Sequence, residues 1–348
     1  MGDETVAGVR SHAHSVREER LRSKLHRELG PVVLEALADE KTIEVMVNPD
    51  GRVWWDRLGD GQSLLPDEFS AERAESLVGT VASLLDTVAN QEHPIVEGEL
   101  PFFGFRFEGI VPPVAPCATA AIRKHSSQVR ALDDYVAEQR LSPSHADMLR
   151  AAVREHLNII VTGGTASGKT TFVNALLQEK VKLSHPNHRF VILEDTVELR
   201  CAAPNRVPLR TSEVADLTRL VRATMRLRPD AIIVGEVRGR EALALLKAWN
   251  TGHPGGVTTV HANGARAALS RIDQLVQEAG VPSQRRLIAE TIDLIVSIAR
   301  TGGGWRVEEI LRIAGYDSEH GFWLDEVEPH QQQGEQHDVG AAENSSSS

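Results

Sequence analysis

Residues 163–170 read Gly-Gly-Thr-Ala-Ser-Gly-Lys-Thr, a full G-x-x-x-x-G-K-[ST] phosphate-binding loop. Such a loop turns successive backbone N–H groups toward an anion, and a following helix adds the positive end of its dipole. Gly163, Gly164, Thr165, Ala166, Ser167 and Gly168 are expected to cradle the phosphates. Lys169 is placed to reach the terminal phosphates of a nucleoside triphosphate, and the Thr170 hydroxyl to ligate Mg²⁺. Ala166 stands where the usual loop has Gly, which a residue of negative φ tolerates. A glycine turn opening an ordinary helix would show the same eight letters, so the surroundings decide.

Hydrolysis needs a metal organiser and a group that aims water at the γ-phosphate. Ala231-Ile232-Ile233-Val234-Gly235-Glu236 is an apolar run ending in an acid. Its carboxylate could reach a bound metal or the attacking water. Val191-Ile192-Leu193-Glu194-Asp195 is a second such run. Neighbouring residues on a strand face opposite ways, so only one of Glu194 and Asp195 is expected to face a nucleotide, the other bracing the loop or pairing with an Arg. A third segment, Val257-Thr258-Thr259-Val260-His261, would carry an imidazole to the same edge, where it could bond the γ-phosphate. Most of the 14 histidines are ordinary by type. The end of a strand is what singles out His261, and His253 only in part.

Those residues need strands and helices to hold them. Leu157–Val161 is a short apolar run fit for a buried strand, and Thr171–Leu177 has helical spacing. Strand Phe190–Leu193, helix Glu213–Arg226, strand Ala231–Val234, helix Arg240–Trp249 and strand Gly256–His261 alternate, predicting a parallel sheet covered by helices. Helices Leu132–Gln139 and Pro143–His156 lead into it, and Ile292–Arg300 with Trp305–Ile313 close it as a hairpin. Ahead of these, apolar residues recur every four positions from Leu21 to Leu37, with an interruption expected at Gly30-Pro31. Ile43–Val47 and Arg52–Trp55 flank the turn Asn48-Pro49-Asp50-Gly51, a hairpin signature. A helix near Ser70–Thr87 and strands near Phe102–Val111 and Thr119–Arg123 complete an α+β unit. The expected division is a loose arm at 1–20, an α+β domain at 21–125, an α/β nucleotide domain at 126–327 joined through Ser126–Val129, and a disordered tail at 328–348.

The bulk numbers exclude several classes. A net charge of −11 over 348 residues argues against coating nucleic acid, although Arg222, Arg226, Arg228 and Arg238 could form a local patch, cover a helix face or serve the nucleotide. Two cysteines cannot build a disulfide framework or a four-thiol zinc site, and fit a reducing cytosol. No run is long and apolar enough to span a membrane. The acidic start has no apolar core for a secretory signal, and Val6 stands where myristoylation wants Ser or Thr.

Taken in order, the phosphate loop, Ile-Leu-Glu-Asp-Thr, Ile-Val-Gly-Glu-Val-Arg-Gly and Thr-Val-His-Ala-Asn resemble the secretion and traffic ATPase superfamily of type II secretion, type IV pili and type IV secretion. The stretches Arg22–Gly30, Thr42–Met46, Ala248–His253 and Ile298–Thr301 resemble its TrbB-type conjugative-transfer branch, and the likeness runs from Leu21 to Phe322. The resemblance implies a RecA-like P-loop domain behind a smaller N-terminal α+β domain. It also implies an ATP- and Mg²⁺-dependent homohexamer, peripheral at the cytoplasmic face of the inner membrane and working with secretion-channel proteins. Glu194 and Asp195 then fall in the acidic box, Glu236 in the metal-side motif and His261 in the histidine box. Arg106 and Arg123 match arginines that approach the nucleotide from the N-terminal domain. A pilus or type II secretion motor is the nearest rival, and many of those carry the zinc module that two cysteines cannot make. A DNA-translocating P-loop module is the rival from another class.

Overall fold

The computed structural model describes residues 3–124, 130–165, 167–212, 214–301 and 304–327. The expected joint at Ser126–Val129, the tail at 328–348, and Ala166 of the phosphate loop lie outside them.

Helix α1 (Asp3–Ala38) breaks its helical angles at Gly30, just before Pro31, where an interruption is expected. Leu25, Leu29, Val33 and Leu37, the four-residue series, are all buried. The helix also runs back through residues 3–20, the stretch expected as a loose arm. That segment lacks apolar periodicity, and helix there is continued from a packed C-terminal half rather than nucleated on its own.

β1 (Thr42–Val47) and β2 (Arg52–Arg57) form the expected hairpin, closing on Val47 opposite Val53. Next come β3 (Gly61–Glu68), α2 (Ala71–Leu84, capped by Ser70), β4 (Ile95–Leu100), β5 (Phe105–Ile110) and β6 (Thr119–Arg123). They make a six-stranded antiparallel sheet in the order β3-β2-β1-β6-β5-β4, with α1 and α2 contributing to its core. The two edge strands, β3 and β4, are those the sequence does not announce. β3 is mostly exposed and holds Pro66, and edge strands tolerate proline and polar residues because one side pairs with nothing.

Beyond it, α3 (Leu132–Ala137) and α4 (Pro143–Arg154) precede β7 (Ile159–Thr162) and α5 (Lys169–Leu183). Then follow β8 (Phe190–Glu194), β9 (Arg206–Arg210), α6 (Leu217–Thr224), β10 (Ala231–Val234), α7 (Glu241–Asn250) and β11 (Val257–Val260). The last elements are α8 (Ala265–Gln277), α9 (Arg285–Thr291), β12 (Leu294–Thr301), β13 (Gly304–Asp317) and β14 (Gly321–Glu326). The eight strands run β14-β13-β12-β7-β11-β10-β8-β9, parallel from β12 to β9 and antiparallel across the β12–β13–β14 end.

Every residue of β7, β8, β10 and β11 is buried, as strands covered on both faces must be. Side chains alternate between two cores. Ile159, Val161, Ile192 and Ile233 join α3, α4 and α5 on one face. Ile160, Leu193, Ile232 and Val234 join α6, α7, α8 and α9 on the other. Because these strands are parallel, their C-terminal ends open onto one rim, where open α/β sheets bind ligands.

Candidate nucleotide site

The phosphate loop leaves β7 at that rim. A Cβ on Gly163 would lie 2.3 Å from the Ile298 carbonyl oxygen, so glycine alone lets the loop cross β12 this closely. Gly168 holds a left-handed φ of 86° at the mouth of α5, and a Cβ there would press the Trp305 indole at 2.9 Å. The Lys169 ammonium follows, donating to the carbonyls of Gly163 (2.9 Å) and Gly164 (2.8 Å) and lying 3.5 Å from His261 Nε2. Its pKa is below the usual lysine value, first because it is buried and then through Arg123 and Arg238, with Glu236 opposing. Among the described residues Ser167 Oγ is buried without a hydrogen-bond partner. An orphaned hydroxyl, a buried ammonium and a glycine-bared backbone in one loop form a donor set that fits a polyphosphate. Thr170 and Thr171 are half-buried at the start of α5, and among the described residues the Thr170 hydroxyl makes no hydrogen bond.

β10 delivers Glu236 beside the loop. Its Oε2 accepts from Arg238 Nη2 at 2.7 Å, and its Oε1 lies 3.7 Å from His261 Nε2. His261 follows β11 directly, one residue past the strand's end. Burial depresses its pKa, helped by Lys169, Arg238 and Arg271 and opposed by Glu236, so the imidazole is neutral near neutral pH. Lys169, His261 and Glu236 therefore form one continuous series across the ends of three strands. A cavity of about 300 Å³ opens next to it, lined by Glu236, Val237, Arg238, His261 and Arg271.

The two acids after β8 divide as strand geometry requires. Glu194 is 5% exposed. Its Oε1 accepts from the backbone N–H groups of Glu198 and Leu199, both at 2.8 Å. Burial raises its pKa to about 7 against those two bonds. The carboxylate expected to orient water is therefore engaged in holding the loop after its own strand. Asp195 is the exposed member, within electrostatic reach of Arg238.

Arg106 and Arg123 are register partners on β5 and β6. The charge of Arg123 acts on Lys169 within one chain. Arg106 instead lies opposite Glu99, and Glu99 approaches Arg210 of the other sheet at 3.9 Å. His253 bonds the Pro229 carbonyl at 2.9 Å, away from the rim. The sequence offers Arg238 only as one of four arginines that could form a patch, cover a helix face or serve the nucleotide, and it leaves Arg271 unmarked. Arg271 sits on α8, a helix the motifs do not announce.

Among the described residues no helix is long and apolar enough to cross a membrane. Residues 96–301 match the family model described as Type II/IV secretion system protein. The conjugal transfer protein TrbB of Rhizobium radiobacter is 47% identical over 312 residues, covering 90% of this chain and 94% of that protein. A probable conjugal transfer protein TrbB of Sinorhizobium fredii is 49% identical over 305 residues, covering 88% and 91%. In fold, the chain is similar to the X-ray structure of the Legionella pneumophila ATPase DotB, with a TM-score of 0.58 at 18% identity, covering 80% of this chain and 79% of that one. With the phosphate loop, the acidic strand ends and the histidine all inside the matched span, the chain belongs to the type II/IV secretion system protein family, in its TrbB-type branch.

Proposed function

We propose that this chain hydrolyses ATP to ADP and phosphate, and that the reaction drives assembly or substrate transfer in a conjugation-type (type IV) secretion system. The observation that carries the reading is the series Lys169–His261–Glu236, with separations of 3.5 and 3.7 Å at the open ends of parallel strands. Lys169 exchanges its bonds to two loop carbonyls for the β- and γ-phosphate oxygens, which keeps the buried ammonium paired throughout. Thr170 and Glu236 would hold Mg²⁺, which would supply charge neutralisation to the phosphates. Glu236 also stands where it can orient the attacking water, and the bond from Arg238 fixes its rotamer. Neutral His261 offers its N–H to the γ-phosphate. Glu194 shapes the loop that presents Asp195 toward Arg238, and Arg123 adds positive charge over Lys169 from the N-terminal sheet. We assign residues 21–125 to an N-terminal domain and 126–327 to the ATPase domain.

The working assembly in this reading is a homohexamer, peripheral at the cytoplasmic face of the inner membrane and docked on channel proteins. The conjugal-transfer relatives support the system, and the acidic net charge speaks against DNA as the main ligand. Steady-state phosphate release by the wild type and by Glu236→Gln, with oligomeric mass measured with and without ATP–Mg²⁺, tests it. The expected result is turnover in a hexamer and an ATP-binding but nearly inactive variant. A chain that binds ATP–Mg²⁺ and never releases phosphate at any oligomeric state contradicts it.

A further inference from the structure

Arg271 lines the cavity at the rim, and the proposed chemistry leaves it unused. It lies at the margin of the buried stripe of α8, half-buried, next to Ile272. Arg238, which lines the same cavity, bonds Glu236 at 2.7 Å. Arg271 has no hydrogen bond or ion pair with any described residue, and its charge is felt by His261. Its guanidinium borders the cavity with its N–H donors uncommitted to any described residue, which leaves them free for an anion.

Among the described lining residues the single carboxylate, Glu236, is already bonded by Arg238, so Arg271 is the surplus positive charge. No described residue of the phosphate loop lines the cavity. The loop is reached across His261, whose Nε2 lies 3.5 Å from Lys169. A chamber of about 300 Å³ has room for a phosphate and part of its hydration shell at ~30 Å³ per water. We propose that this chamber receives the inorganic phosphate cleaved from ATP, with Arg271 as its principal ligand and His261 at its threshold. A planar guanidinium fork matches two oxygens of a tetrahedral phosphate, and the site stands off the loop, where a phosphate arrives only once its bond to ADP is gone.

This inference rests on the ATPase reading and is separable from it. Radiolabelled inorganic phosphate is titrated by equilibrium dialysis against the full chain loaded with ADP–Mg²⁺, for wild type, Arg271→Gln and Arg271→Lys, with ADP and ATPγS affinities measured alongside. The wild type is expected to bind phosphate, Arg271→Gln to bind it at least about tenfold more weakly, and Arg271→Lys to fall between. ADP and ATPγS affinities of the Gln variant should stay within about twofold of wild type, since a charge-assisted bond is lost only from the chamber. Three results overturn the proposal: wild-type phosphate affinity in Arg271→Gln, a parallel loss of ATPγS affinity, which would place Arg271 on the γ-phosphate of intact ATP, or no phosphate binding by wild type that has bound ADP. Should Arg271→Gln melt early, Arg271→Lys keeps the charge, loses the fork and carries the measurement. Failure of the wild type to bind ADP at all would instead break the ATPase reading.

Discussion

The two ends of the eight-stranded sheet hold similar residue types and use them differently. At the C-terminal rim stand Lys169, His261 and Glu236. At the opposite end Lys180 lies among His156, His188 and Asp230. There the two imidazoles stack at 5.6 Å and 12°, and the Asp230 carboxylate accepts from the Arg189 backbone N–H at 2.7 Å. Lys180 is 1% exposed, and a Cβ on Gly255 would sit 2.7 Å from its Nζ. Burial alone brings its pKa down to about 8, and burial first, then Lys180, lowers His156. At the rim the same residue types meet a glycine loop, backbone donors and a chamber. Lysine and histidine mark a site only where the chain around them leaves backbone and space for a ligand, and in a parallel sheet that is the carboxyl end.

That contrast is broken most directly by paired lysine substitutions. Lys169→Ala should lower ATP turnover by ~10²–10³, the usual cost of removing a group that stabilises developing phosphate charge. Lys180→Met should leave turnover near wild type. Equal loss in both, measured as steady-state phosphate release, would mean that the rim is not special.

The ends should also differ in how pH acts on stability. Folded Lys180 releases its proton near pH 8 and unfolded Lys near 10.5, so its contribution is full above 10.5 and is lost as pH falls through about 8. Glu194, raised to about 7 from 4.5, works in the other direction: its contribution is present below 4.5 and lost as pH rises through about 7. Each is worth up to about 3 kcal/mol. Denaturant melts from pH 4.5 to 10 should show Lys180→Met flattening the alkaline limb and Glu194→Gln the acid limb. An unchanged profile in either variant removes the corresponding buried charge from the account.

A smaller effect is expected from the N-terminal sheet. Arg123→Ala should slow turnover by about tenfold to a hundredfold, the range for a bond to a charged group. Because the charge of Arg123 acts on Lys169 within one chain, mixing Arg123→Ala with Lys169→Ala subunits should restore nothing. Recovery in mixed hexamers would show the arginine acting on a neighbour. Smallest is Glu194→Gln, whose amide oxygen still accepts the two loop N–H groups, so turnover should drop less than about tenfold. A dead enzyme with an intact fold would return Glu194 to the reacting atoms and leave Asp195 outside them.

The phosphate loop, the strands that lead into it and the family are legible in the order of residues alone. Central parallel strands are buried on both faces, so β7, β8 and β10 stand out as short apolar runs, while β11, Val-Thr-Thr-Val, is marked by its β-branched residues, and the residues at their ends follow from them. The edge strands stayed hidden for the converse reason. β3 and β9 each contain a proline and alternate with solvent, which in one dimension looks like loop. Packing alone places Glu194 inward and Asp195 outward, sets Arg238 on Glu236, lays the charge of Arg123 on Lys169, and puts Arg271 at the border of the chamber. Spacing along a chain fixes which residues share a strand or a helix face. Which side of the sheet they take, and which distant element meets them, depends on packing between segments far apart in sequence.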